Sequence, residues 1–251
     1  MSGHSKWSSI KHKKGAADAK RGKLFSKLTR AIIVAARDGG PDPAGNLALQ
    51  NAVEKARANS MPKDNIDRAI AKGTGSGADQ DAFEAIVYEG YGPEGVAVIV
   101  EALTDNRNRT ASEVRHIFAK FGGNLGTTGA VAWQFERRGV VVVPGEGVDE
   151  DELLLAAADA GAEDVERDAD VFQVTSAPES LSSVRAAIEG AGFAVDSAEL
   201  VMLPKTTVAV EDEAKARQVM RLIDALEDND DVQDVYANFD IPERVLEAVA
   251  G

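Results

Sequence analysis

The sequence predicts an α+β fold: a helical N-terminal part, then two small α/β units, one set inside the other. Three observations predict it. Up to about residue 74 the apolar residues recur at helical spacing only. "GTGSG" (Gly73 to Gly77) then breaks the chain. Beyond it strand and helix patterns alternate as β-α-β, then β-α-β-β-α-β, then β-α-β. The 251 residues are 44% hydrophobic, enough to bury real cores.

The elements follow in order. Over Ala16 to Asp38, Leu24, Phe25, Leu28 and Ile32 fall on one helical face, and Lys20, Lys23, Lys27, Arg30 and Arg37 fall roughly opposite. "DGGPDP" stops this helix. A second runs from about Asn46 to Asn59 with Leu47, Ala52, Val53 and Ala56 inward. "SMPKDN" starts a third, with Pro62 at its first position, Asp64 and Asp67 at the positive end of its dipole, and Gly73 at its end. After the linker, "GVAVIVEALT" reads as a buried strand. Thr110 and Glu113 read as a capping box, with Val114, Ile117, Phe118 and Phe121 inward on the helix that follows. Val131, Trp133 and Phe135 alternate as a strand. From Gly139 to Pro204 lies one full β-α-β-β-α-β set, the ferredoxin-like order. "TTVAVE", a helix with Val219, Leu222, Ile223 and Leu226 inward, and the alternating "DVYANFD" close the chain. Two half-sets flanking one full set imply a split domain with another inserted. The expected domains are 1–77 (basic, helical), 78–135 with 204–245 (split, ferredoxin-like), and 136–203 (inserted, acidic, ferredoxin-like). The strand near Val208 to Val210 is expected to pair with that near Val96 to Val100.

Charge is segregated. Residues 1–76 hold 15 Lys+Arg and 6 Asp+Glu, leaving 13 and 36 of the chain's 28 and 42 for the rest, so +9 stands against −23. Residues 136–203 hold 4 basic and 16 acidic residues. Such asymmetry points to a polyanion partner for the basic segment.

Many chemistries find no support. There is no Cys, which removes disulfides, thiolate metal sites and Cys nucleophiles. His4, His12 and His116 form no ligand pattern, and neither a P-loop nor a Ser/His/Asp arrangement stands out. No enzyme activity, cofactor, metal or membrane span is expected. A basic, acid-poor start also fits a transit peptide, but it runs directly into helical sequence, so the cytoplasm is expected. "GGNLGTTG" (Gly122 to Gly129) is either a tight turn or a phosphate-binding loop.

Two clusters carry nucleic-acid chemistry. The first is Lys6, Lys11, Lys13, Lys14, Lys20, Arg21, Lys23, Lys27 and Arg30, several cations within reach of a phosphate backbone. Trp7 lies among them, either to stack on an unpaired base or to fold back on the helices. The second is "TDNRNRT", where Arg107 and Arg109 precede a helix N-terminus; it is either a solvated turn or an anion contact. Reversing Lys23, Lys27 and Arg30 is expected to spare the fold. Removing Arg107 and Arg109 is expected to leave stability alone.

"GHSKWSSIKHKK", "DAKRGKLFSKLTR", "MPKDNIDRAIAKGTG", "YEGYGPEGVAVIVEALTDNRNRT" and "GGNLGTTGAVAWQFERRG" resemble the YebC/PmpR family, with its mitochondrial relative, the translational activator of cytochrome oxidase subunit I. The resemblance covers roughly Ser2 to Gly139 and continues by element order to about Glu243. It implies a helical N-terminal domain with two α/β domains, and a non-enzymatic regulator that binds DNA, or one that acts on the ribosome and eases synthesis of proline-rich stretches. Carried over by position, it implicates Lys6, Lys11, Lys13, Lys14, Arg21, Lys23, Lys27 and Arg30. "NLALQNAV" lacks a basic residue that many members have. The −23 body favours folded RNA over a long duplex, and no helix-turn-helix or dimer seam is evident, so a monomer is expected.

Overall fold

The computed structural model describes residues 18–75, 83–168 and 170–250. Three helices come first: α1 (Asp18–Gly39), α2 (Leu47–Ala58) and α3 (Lys63–Thr74). Leu28, Ile32, Ile33 and Ala36 of α1 are buried against Leu49, Val53 and Ala56 of α2 and Ile66 and Ala69 of α3. Asn46 caps α2 by accepting from Leu49 N at 3.1 Å, while its amide donates to Ala35 O and Gly40 O. Pro62 is the N-cap of α3 rather than its first helical residue.

Gly73 does not end α3. It is buried inside the last turn, and a Cβ there would press into the Ile33 carbonyl oxygen and lie 3.0 Å from Ala36 Cβ. The glycine permits close approach of α1 and α3. Gly73→Ala should therefore destabilise by about 1–3 kcal/mol, although alanine is the better helix former by about 1 kcal/mol. A melting temperature at or above the parent's would show that the two helices can separate freely.

The first sheet has the order β3-β1-β2-β9, from β1 (Glu84–Tyr91), β2 (Ala97–Thr104), β3 (Asn124–Leu125) and β9 (Val232–Ala237). β1 and β2 form an antiparallel hairpin that the sequence reading lacks, and α4 (Arg107–Lys120) carries the chain from β2 over β1 to β3. β2 is buried on both faces. Val98 and Val100 meet Val114 and Phe118 of α4 and Val219, Leu222 and Ile223 of α7 (Glu213–Glu227). Ala97 and Ile99 meet Val131 and Phe135 on the other side.

The second sheet lies wholly within the sequence gap of the first. Its strands are β4 (Phe135–Pro144), β5 (Ala162–Asp168), β6 (Val171–Ser176) and β7 (Ser197–Pro204), in the order β5-β6-β4-β7, all antiparallel. Helices α5 (Glu150–Ala158) and α6 (Leu181–Gly190) bury Leu153, Ala157, Leu181, Val184 and Ile188 against it. β8 (Val208–Ala209) and β10 (Phe239–Asp240) form a short parallel pair, and α8 (Glu243–Ala250) ends the chain.

Three further expectations, all about strands, need correction. The strand at 208–209 pairs with β10, not with β2; the neighbour of β2 is β9. "DVYANFD" is not one strand. Asn238, almost fully buried, accepts from Ala97 N at 2.7 Å and donates to Gln134 Oε1 and Thr206 O, and the chain changes sheets there. Residues 131–135 are not a strand either: Ala132–Gln134 is a 3-10 turn that leaves Trp133 67% exposed, and β4 starts at Phe135.

α2 joins the helical part to both sheets. Arg185 of α6 grips Glu54 at 2.9 Å and Asn51 at 3.2 Å. Lys55 lies between Glu199 of β7 (3.7 Å) and Asp234 of β9 (3.8 Å). Among the described residues no helix is long and apolar enough to cross a membrane, and no cluster of His, Asp and Glu could hold a metal.

Candidate nucleic-acid interface

Lys6, Trp7, Lys11, Lys13 and Lys14 lie outside the described residues, and Lys20 and Arg21 belong to the start of α1. The other three expected cations of α1 do not stand free. They dock on "EDNDD", Glu227 to Asp231, where α7 ends and the chain turns into β9. Lys23 Nζ is 3.5 Å from Asp228 O and 3.6 Å from Asp230 Oδ1. Lys27 Nζ donates to Glu227 O. Arg30 Nη1 donates to Asp230 O at 2.6 Å and to Asp231 Oδ1 at 2.7 Å. The last carbonyls of a helix carry partial negative charge, and carboxylates beside them add to it. The docking site thus offers a basic helix part of what a phosphate backbone offers. The expectation that charge reversal spares the fold is overturned: three new carboxylates would face Asp228, Asp230 and Asp231.

Burial pushes the Lys27 ammonium down to about 8, against the pull of Glu227, Asp228, Asp230 and Asp234. Its folded value lies below the ordinary 10.5, so the buried charge costs stability below about pH 8, and the cost fades as pH rises towards 10.5. Relative to Lys27→Met, the parent should gain stability between these two values. A gap that stays constant across that range in urea titrations would mean the ammonium is not desolvated.

Arg107 and Arg109 lie in the first turn of α4 rather than in a loop. The N-cap is Asn106, which accepts from Arg109 N at 3.1 Å, so Thr110 and Glu113 form no capping box. Arg107 is 71% exposed at its side chain, 3.7 Å from Glu84. Arg109 is committed: its Nη2 is 2.7 Å from both Asp105 Oδ1 and Asp231 Oδ2. Removing Arg109 will therefore not leave stability alone.

Asp231 is the centre of this network. Its carboxylate is 4% exposed. Oδ1 takes Arg30; Oδ2 takes Arg109, Thr110 Oγ1 at 2.6 Å and Thr104 Oγ1 at 3.1 Å. Burial pushes its pKa up, but the hydrogen bonds from Arg109, Thr110 and Thr104 together hold it below the ordinary carboxylate value. One side chain thus ties α1, β2 and α4 to the start of β9. The "EDNDD" run after an amphipathic helix was the available signal for it, as an acidic counterpart to the basic face of α1.

The glycine-rich segment is a turn, and the backbone donors at its end are taken by a carboxylate of the protein itself. Glu89 of β1, 5% exposed, accepts from Gly129 N at 2.7 Å and from Val131 N and Ala132 N at 2.8 Å each. Burial pushes the Glu89 pKa up, and these three backbone bonds outweigh it and lower the value. An internal carboxylate occupies the place that a phosphate would take.

Residues 5–76 match the model of the TACO1/YebC protein N-terminal domain, and residues 83–239 that of the TACO1/YebC second and third domain. The chain belongs to the TACO1/YebC family. This TACO1/YebC chain is similar along its whole length to two proteins named "Probable transcriptional regulatory protein". One is from Rubrobacter xylanophilus, 61% identical over 251 residues with 100% of each chain covered; the other is from Syntrophobacter fumaroxidans, 56% identical over 250 residues with the same coverage. It is also similar to the crystal structure of a conserved hypothetical protein from Aquifex aeolicus, with a TM-score of 0.81 and 51% identity over 90% of this chain and 93% of that one.

Proposed function

We propose that this chain is a non-enzymatic nucleic-acid-binding regulator of gene expression that works on RNA at the ribosome and eases synthesis of proline-rich stretches. The observation that carries the nucleic-acid part is the segregation of charge, +9 over residues 1–76 against −23 over the rest. In this reading Lys6, Lys11, Lys13, Lys14, Lys20 and Arg21 meet phosphates, with Trp7 against a base. Lys23, Lys27 and Arg30 anchor α1 on the 227–231 turn or exchange that turn for phosphate, and Arg107 adds an outer contact. The acidic inserted unit at 136–203 stays clear of the polyanion by repulsion. The charge pattern favours RNA over a long duplex, and the ribosomal, proline-rich role is what the family resemblance implies.

DNA is the second reading. The name of the relatives, "Probable transcriptional regulatory protein", favours it. Two measurements separate the readings. Sedimentation of the endogenous protein with ribosomes at low salt, and its release at high salt, supports the first. Tight binding to duplex DNA with none to ribosomes or single-stranded RNA overturns it in favour of the second.

A further inference from the structure

Segment 77–251 holds only 13 Lys and Arg against 36 acids. Many of those cations are spent on internal acids: Arg109 on Asp231, Arg138 on Glu136 and Glu163, Arg185 on Glu54 and Glu189, and Lys215 on Glu94. Three are not. Lys120, Arg217 and Arg221 line one groove of about 500 Å³ between the end of α4 and the outer face of α7. None of the three pairs with an acid among the described residues, and all are exposed. Arg217 and Arg221 are one helical turn apart, so they share a face. Lys120 reaches the same groove from the opposite wall and lies 5.4 Å from the ring of Phe121. The wall is fixed from behind: Gln218 Nε2 donates to Phe121 O at 3.1 Å, and Val219, Leu222 and Ile223 are in the core beneath.

We propose that this groove is a second nucleic-acid site, separate from the basic arm, which takes the phosphodiester backbone of a single strand. The proposal rests on the nucleic-acid reading above and adds a place for the strand. Three unpaired cations facing one concavity on an otherwise acidic surface are complementary to closely spaced phosphates. Two are Arg, whose planar fork suits a phosphate. A groove of about 500 Å³ has room for one or two nucleotides.

The test uses the full chain and a labelled twelve-nucleotide oligouridine, with anisotropy titrations over a range of salt. Lys120→Gln, Arg217→Gln and Arg221→Gln together should weaken binding roughly 10- to 100-fold near 0.1 M salt and flatten the log K against log[salt] slope by about 2, for three lost contacts on a single strand. The melting temperature should move little, because none of the three has an acid partner to lose and only the contact of Lys120 with the Phe121 ring goes with them. Equal affinity and slope in parent and triple variant would overturn the groove while leaving the arm reading intact. A parent that binds no oligouridine would remove both. A duplex competitor that displaces the strand from the parent but not from the triple variant would show that the groove accepts a duplex, and would overturn the single-strand assignment.

Discussion

Asp231→Ala is expected to cost about 3–5 kcal/mol, the range for breaking a buried ion pair from one side. The substitution leaves Arg30 and Arg109 without their shared anion and leaves Thr104 and Thr110 without an acceptor for their hydroxyls. Asp231→Asn keeps the volume and one acceptor, yet removes the charge that two guanidiniums share, so it should fall between the parent and Asp231→Ala. Urea denaturation at neutral pH measures both. The outcome that would sink the idea is Asp231→Asn as stable as the parent, for then shape and not charge holds the junction. The pH dependence has a definite sign. The folded pKa of Asp231 is held below its ordinary 3.8, so its contribution is complete above that value and is lost as pH falls through the lower, folded one. Parent and Asp231→Ala should therefore converge in stability only in strong acid.

Glu89→Ala should be nearly as damaging, at about 2–4 kcal/mol. It strands the donors of Gly129, Val131 and Ala132, of which water can reach the two that are partly exposed. The loss should be local in origin. The turn at 127–134 carries Val131, whose side chain fills the core beneath Ala97 and Ile99, so amide exchange at these residues should accelerate first. Glu89→Gln should recover part of the stability through its carbonyl oxygen. If Glu89→Ala exchanged at the parent's rate throughout 127–134, the carboxylate would not be what shapes the turn. Its folded pKa too is lowered, from 4.5, so acid below that value should weaken the parent and spare the variant.

Much of the helical and strand order is legible in the sequence because it is written locally. The apolar stripe Leu24, Leu28, Ile32 needs only helical spacing to be read, and Leu28 and Ile32 are buried. Several of the misreadings come from partners far along the chain. Val131, Trp133 and Phe135 alternate like a strand, but Glu89, more than 40 residues earlier, bends them into a turn. Thr110 followed by Glu113 looks like a cap, but the Thr110 hydroxyl belongs to Asp231, 121 residues away. At the candidate interface the basic face of α1 is legible, and its acidic dock is not, because Lys27 and Glu227 are 200 residues apart and no local pattern links them. Lys120 lies on a different helix from Arg217 and Arg221, and only the packing of α4 on α7 brings them together.

The register of β9 on β2 has a consequence for synthesis. A ribosome delivers the chain from its N-terminus, and the partner of Val98 to Ala102 is Val232 to Ala237. The sheet of β4 to β7 can close once residue 204 has emerged, whereas the outer edge of β2 waits for some thirty residues more. Through that interval a strand of Ala, Val and Ile offers open backbone donors and acceptors, the condition under which nascent chains pair wrongly. The second sheet should thus be complete while the first is still half-built, a folding order opposite to the order of the sequence. Amides of β4 and β6 in ribosome-held chains from which residue 204 but not residue 232 has emerged should be protected while those of β2 still exchange.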